Sequence, residues 1–191
     1  MSTPLIKRNW IGLALAVCAL AAGALLLGWR FLSPPGVSAS VTLAQFTQYE
    51  VSVRIEARKY ASGTLALVGV FTPEREHFHL YSKDLPENGL NGLGRPTLIK
   101  IAASDGIKWT GPLTADQAEH DLYFKVLDIN FPVYPEGPVT LSLPYEWTSK
   151  ENSAAVDLAI SYMACSDQQC LPPVEKKHLL IHIPSQFQAG G

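Results

Sequence analysis

Apolar residues recur at every second position in the best-patterned stretches of this chain. Val156, Leu158, Ile160 and Tyr162 alternate with small or polar neighbours, as do Tyr49, Val51, Val53 and Ile55. Only a β-strand puts alternate side chains on one face, so this period commits both stretches to half-buried strands. Further β-rich runs occupy 64–72, 77–82, 97–102, 122–128, 139–144 and 177–183, and turn-forming clusters at 86–94 and 134–138 separate them. Beyond residue 30 no segment sustains a helical spacing. Roughly seven to nine short strands within one domain imply an all-β fold, an antiparallel β-sandwich of immunoglobulin-like type.

The amino terminus follows a different pattern. Residues 11–28 carry no charge, and Trp10 and Trp29 bracket them about 30 Å apart at the helical rise, one membrane thickness. Lys7 and Arg8 precede the run, only Arg30 follows it, and no acid comes before Glu50. The positive-inside bias therefore leaves the amino terminus in the cytoplasm and exports the remainder. The expected organisation is a cytoplasmic terminus over 1–9, one transmembrane helix as anchor over 10–29, a linker over 30–44, the sandwich domain over 45–185 and a tail over 186–191. A cleaved signal peptide is the alternative, with small residues at Val37-Ser-Ala39 before a cut and a secreted product. Cys18 within the apolar run reads as a small filler.

All seventeen acids lie beyond the linker, against twelve of the fifteen Lys and Arg, which leaves the exported part near −5. No basic stripe invites nucleic acid. Serine-hydrolase, phosphate-loop and paired-carboxylate chemistries find no motif. The run Gly89-Leu-Asn-Gly-Leu-Gly94 has no helix after it, so it reads as a loop rather than a nucleotide cradle.

Export gives Cys165 and Cys170 their significance. Outside the cytoplasm a disulfide persists unless a dedicated supply of electrons reopens it. The pair sits between the last two expected strands, 156–164 and 176–183, at the connection of a hairpin, with the stiff Pro172-Pro173 behind it. As a structural clip, a ring this small contributes only about 2 kcal/mol. As an exchanging dithiol it needs little beyond the two sulfurs and controlled access. Spacing leaves both readings open. Asp167 and Glu175 oppose thiolate formation, and Lys176 and Lys177 favour it.

The segment Ser161-Tyr-Met-Ala-Cys165-Ser-Asp-Gln-Gln-Cys170-Leu-Pro-Pro-Val-Glu175 resembles the active-site segment of the amino-terminal domain of the DsbD family of thiol:disulfide interchange proteins. Upstream, His77-Phe-His-Leu-Tyr-Ser82 is similar to that domain's early aromatic strand, and Val133-Tyr134 with Gly137-Pro-Val-Thr-Leu141 to a later one. The resemblance implies an immunoglobulin-like periplasmic domain at the bacterial inner membrane, without a cofactor. Such a domain takes electrons from a membrane donor of the DsbD or CcdA type and passes them to thioredoxin-like envelope proteins through mixed disulfides, as in cytochrome c biogenesis. It implies that Cys170 attacks and Cys165 resolves. It also implies an aromatic cap over the dithiol, matched here by Asp121, Tyr123 and Phe124 in Asp121-Leu-Tyr-Phe124. An ordinary strand that packs Tyr123 or Phe124 into a core is the other reading of that stretch.

The match has limits: the cysteines enclose one residue fewer than in the best-known member. The chain also carries neither the multi-helix electron conductor nor the carboxy-terminal thioredoxin-like domain, which implies one relay in a split system. Two rival functions come from other classes. A zinc site would draw on His77 and His79, and on His178 and His182, each pair expected on one strand face. An anchored envelope scaffold would hold Cys165–Cys170 as a static bridge.

Overall fold

Two tight reversals fold the first three strands into a meander. The computed structural model describes residues 36–125 and 127–188. Strand β1 (Val37–Gln48) turns through Tyr49 and Glu50, both at positive φ, into β2 (Val51–Tyr60), and a turn closed by Gly63 leads into β3 (Leu65–Pro73). There follow β4 (His79–Leu80), β5 (Leu98–Asp105), β6 (Ile107–Trp109), β7 (Thr114–Ala115), β8 (His120–Phe124) and β9 (Ile129–Val133). The last four are β10 (Val139–Trp147), β11 (Ser153–Tyr162), β12 (Ala164–Cys165) and β13 (Val174–Pro184). All pairings among the described residues are antiparallel.

One sheet runs β1-β2-β3-β10-β6, with the short β7 also on β10, and a second runs β13-β11-β5. Pro144, with no N–H to donate, sits in β10 between the stretches paired to β7 and to β6. The expected alternation on β11 is realised: Val156, Leu158, Ile160 and Tyr162 are all buried. They meet Val53, Ile55, Leu67, Phe71 and Leu141 of the first sheet in a single core. The two sheets thus pack face to face, an all-β antiparallel sandwich. Each such large apolar side chain contributes about 1.5–3 kcal/mol by leaving water. At Gly69 the first sheet leaves no room for a side chain, since a Cβ there would lie 2.3 Å from the Ile99 side chain.

Four sequence expectations change. Strand β1 begins at Val37 rather than at the expected boundary of 45, so residues 37–44 of the presumed linker are strand; they include the candidate cleavage site. Its burial is slight because it is an edge strand, which is why its apolar period is weak. Tyr49 belongs to the turn and is largely exposed, so the buried period starts at Val51. The run expected over 122–128 ends at Phe124 and turns back into β9, with Asp128 at positive φ. His77 lies outside β4 at positive φ, so it does not share a strand face with His79. Among the described residues no helix is long and apolar enough to cross a membrane. The anchor expected over 10–29 lies outside them.

Candidate functional site

The connection between β11 and β13 is built to leave its own sheet. Register shifts by one residue between the Ile160 and Tyr162 pairs, where Lys176 takes positive φ and donates its N–H to Ser161 Oγ at 2.9 Å. Past this bulge only Tyr162 still pairs with β13, at Val174, and Ala164 and Cys165 pair instead with Leu80 and His79 of β4. Leu80 and Ala164 point into the main core. By strand alternation His79, Tyr81 and Cys165 take the opposite side, where Tyr81 and Cys165 join a separate apolar cluster with Leu85, Phe131 and Val133.

Cys165 and Cys170 are joined by a disulfide. Ser166 organises the four residues between them: its N–H donates to the Gln169 carbonyl at 2.8 Å, and its hydroxyl accepts the N–H groups of Gln168 and Gln169. Leu171 N–H returns to the Ala164 carbonyl at 2.9 Å. The two sulfurs therefore sit in different environments. Cys165 is 0 % exposed, while Cys170 stands at the surface. An external thiol can approach only the Cys170 sulfur.

Tyr81 covers the buried half. Its hydroxyl lies 3.3 Å from Cys165 Sγ, and it is itself buried. Burial pushes the phenol above its ordinary pKa, so it stays protonated and can donate to sulfur. Its ring is held edge-on by Phe131 at 5.6 Å and by His79 at 5.9 Å. Behind it the chain passes too close for any side chain: a Cβ on Gly94, which has positive φ, would lie 2.9 Å from the Tyr81 ring. Thr97 donates both its N–H and its hydroxyl to the Tyr81 carbonyl.

The β8–β9 hairpin lies against the same cluster, and it divides the expected cap residues. Leu122, Phe124 and Ile129 pack on the cluster, with Phe124 edge-on to Phe131 at 5.8 Å. Asp121 and Tyr123 take the alternate positions and face solvent, Tyr123 donating its hydroxyl to Asp128 at 2.9 Å. Of the three, only Phe124 belongs to the cluster around Cys165. Leu122, Phe131 and Tyr81 belong to it as well, and sequence reasoning did not single them out as site residues. The signal for Tyr81 was present, because it lies in the strand segment 77–82 that carried part of the family resemblance.

Among the described residues, the charges flanking the cysteine segment are engaged elsewhere. Glu175 is bound to Arg95, Lys176 lies 3.5 Å from Glu87, and Lys177 stands over the Phe46 ring. Asp167 remains in the loop between the cysteines, exposed. His79 is buried, and its environment pushes its pKa below the ordinary imidazole value. Desolvation dominates; His120 adds to the lowering, and Asp167 and Glu136 act against it.

Comparison with family models, with curated proteins and with solved structures finds no match to this chain. Among the described residues no three His, Cys, Asp or Glu side chains are grouped to hold a metal ion. His77 pairs with Glu136 at 3.1 Å, His178 with Asp157 at 2.9 Å, and His182 is exposed.

Proposed function

We propose that the chain relays reducing equivalents by dithiol/disulfide exchange at Cys165 and Cys170. In this reading it is a membrane-anchored extracytoplasmic domain of immunoglobulin-like type, similar to the amino-terminal domain of the DsbD family. The observation that carries the proposal is the asymmetry of the pair. One sulfur is exposed on a tight surface turn. The other is buried beneath Tyr81 and an aromatic hairpin. A static clip needs no such division, and an exchanging pair does, because one sulfur must meet the partner while the other is held back to release it.

In the forward direction the Cys170 thiolate attacks a partner's disulfide. The partner's S–S bond breaks, its outer sulfur leaves as a thiolate and takes a proton, and Cys170 is joined to the inner sulfur. Cys165 then loses its proton and attacks Cys170 Sγ. The Cys165–Cys170 bond forms, and the partner departs with two electrons and two protons gained in all. A dithiol donor at the membrane restores the pair by the reverse steps. Thioredoxin-like envelope proteins are the recipients this chemistry fits.

The reduction potential of the pair tests the proposal, measured on the full-length chain by equilibration with glutathione and thiol alkylation. A midpoint of roughly −270 to −120 mV is expected, the range of exchanging oxidoreductases. A midpoint below about −300 mV makes the bridge a structural clip and moves an envelope scaffold to first place.

A further inference from the structure

His79 stands directly opposite Cys165 in the β4–β12 pair. Opposed residues of an antiparallel pair carry their Cβ atoms about 4.5–5.5 Å apart on one face. Tyr81, just past the end of β4 and on the same face, touches both: its ring lies 5.9 Å from the His79 ring and its hydroxyl 3.3 Å from Cys165 Sγ. His79 is 6 % exposed, and its Nε2 is buried without a hydrogen-bond partner. A buried polar atom left unpaired costs about 1–3 kcal/mol, and no contact in the oxidised protein offsets that. Cys165, opposite His79 on this face, carries a thiol proton only when the disulfide is open.

The geometry points to His79 as the acid–base residue of the exchange, taking the Cys165 proton when that sulfur attacks Cys170 and returning it when the disulfide opens. This assignment rests on the relay reading above. In the closing step Cys165 Sγ–H gives its proton to the imidazole. The resulting thiolate bonds to Cys170 Sγ, and the bond from Cys170 to the partner's sulfur breaks. That sulfur leaves as a thiolate and takes a proton from solvent, to which the imidazolium returns its own.

Tyr81 cannot do this work, since its buried phenol keeps its proton and can only donate. His79 can accept because burial holds it neutral near pH 7. The charged and titratable groups around it are Asp167 on the cysteine loop, His120 on β8, Glu136 after β9, and Tyr81 and Cys165 on its own strand pair.

Two-phase thiol kinetics test the assignment on the reduced full-length chain with 5,5′-dithiobis(2-nitrobenzoate), in a Cys18→Ala background that leaves Cys165 and Cys170 as its two thiols. Cys170 releases one equivalent of thionitrobenzoate, and Cys165 then releases the second in a step independent of reagent concentration. The wild-type second phase is expected to rise with pH through a value below about 6.5, the ordinary imidazole pKa. In His79→Gln the second phase is expected to slow about tenfold or more at pH 7, the low end of general-base effects. Its inflection should move to about 8.5, the ordinary thiol pKa, and the first phase should be unchanged. A second phase with the same rate and profile in the variant overturns the assignment alone. So does a wild-type profile that already follows a thiol near 8.5, which needs no variant to fold. A wild type that releases a single equivalent overturns the relay reading and this assignment with it.

Discussion

The Tyr81 hydroxyl lies 3.3 Å from the Cys165 sulfur, across 84 residues of chain and out of reach of solvent. An attack on Cys170 from outside expels Cys165 as a thiolate, so this hydroxyl donates to the charge that develops there. Hydrogen bonds to a charged group contribute about 1.5–3 kcal/mol. Tyr81→Phe, which keeps the ring and its packing on Phe131, should therefore slow reduction of the disulfide by dithiothreitol about tenfold. Equal rates for the two proteins would remove Tyr81 from the chemistry.

The difference in exposure predicts an order of reaction. After reduction, a limiting dose of iodoacetamide should label Cys170 first, and peptide mass spectrometry reads the result. Cys165→Ala should trap mixed disulfides through Cys170, whereas Cys170→Ala should trap none. Equal labelling of the two thiols would contradict the buried position of Cys165.

Phe124 and Tyr123 are neighbours on β8 with opposite fates, and this separates a cap from a surface. Phe124→Ala removes a ring from the cluster and should cost about 2 kcal/mol in urea unfolding, below the range for a fully buried Phe because Phe124 is only partly buried. It should also speed reduction by glutathione. Tyr123→Ala, at a side chain 56 % exposed, should stay within about 0.5 kcal/mol of wild type and leave the reduction rate unchanged. The reverse pattern would restore Tyr123 as the cap.

His79 also predicts a pH dependence of stability. Its folded pKa is depressed, chiefly by burial, so below about pH 6.5 the unfolded chain binds a proton that the folded chain refuses. The stabilisation from this group is present above that pH and is lost as pH falls toward the folded value. Urea midpoints measured from pH 7 to 5 should fall for the wild type, and fall less for His79→Gln. Parallel curves would show that the imidazole is freely protonated in the fold.

Strand β1 makes the domain boundary testable. Val37–Ala44 supply six of its ten residue pairs with β2, and Val41, Leu43 and Ala44 pack against the core. A chain begun at residue 45 should be less stable by about 2 kcal/mol or more than one begun at residue 36, from the apolar area returned to water. Matching urea midpoints would return residues 37–44 to the role of a linker.

Much of the fold was legible because burial on one side of a strand writes a period of two into the sequence. Val156 to Tyr162 and Val51 to Ile55 carry that period, and both are core strands. The signal fades where the strand lies at an edge, as in β1, or is only a few residues long, as in β4, β7 and β12. The run expected over 122–128 continued past Phe124 into the turn, so it proved to be the end of one hairpin arm and the turn that follows it.

By itself the sequence determined that the chain is built of strands, that Cys165 and Cys170 are close enough to close a small ring, and that Pro172-Pro173 stiffen the chain behind them. These are local properties, set by side-chain period and by spacing. Tertiary structure alone decided which sulfur is hidden, that Tyr81 and His79 face it, and that Phe124 rather than Tyr123 joins the cluster around it. Those relations depend on the bulge at Lys176 that sends Cys165 across to β4, and on contacts between residues far apart in the chain. No local pattern encodes such pairings, because the free energy that selects them comes from burying all of these groups at once.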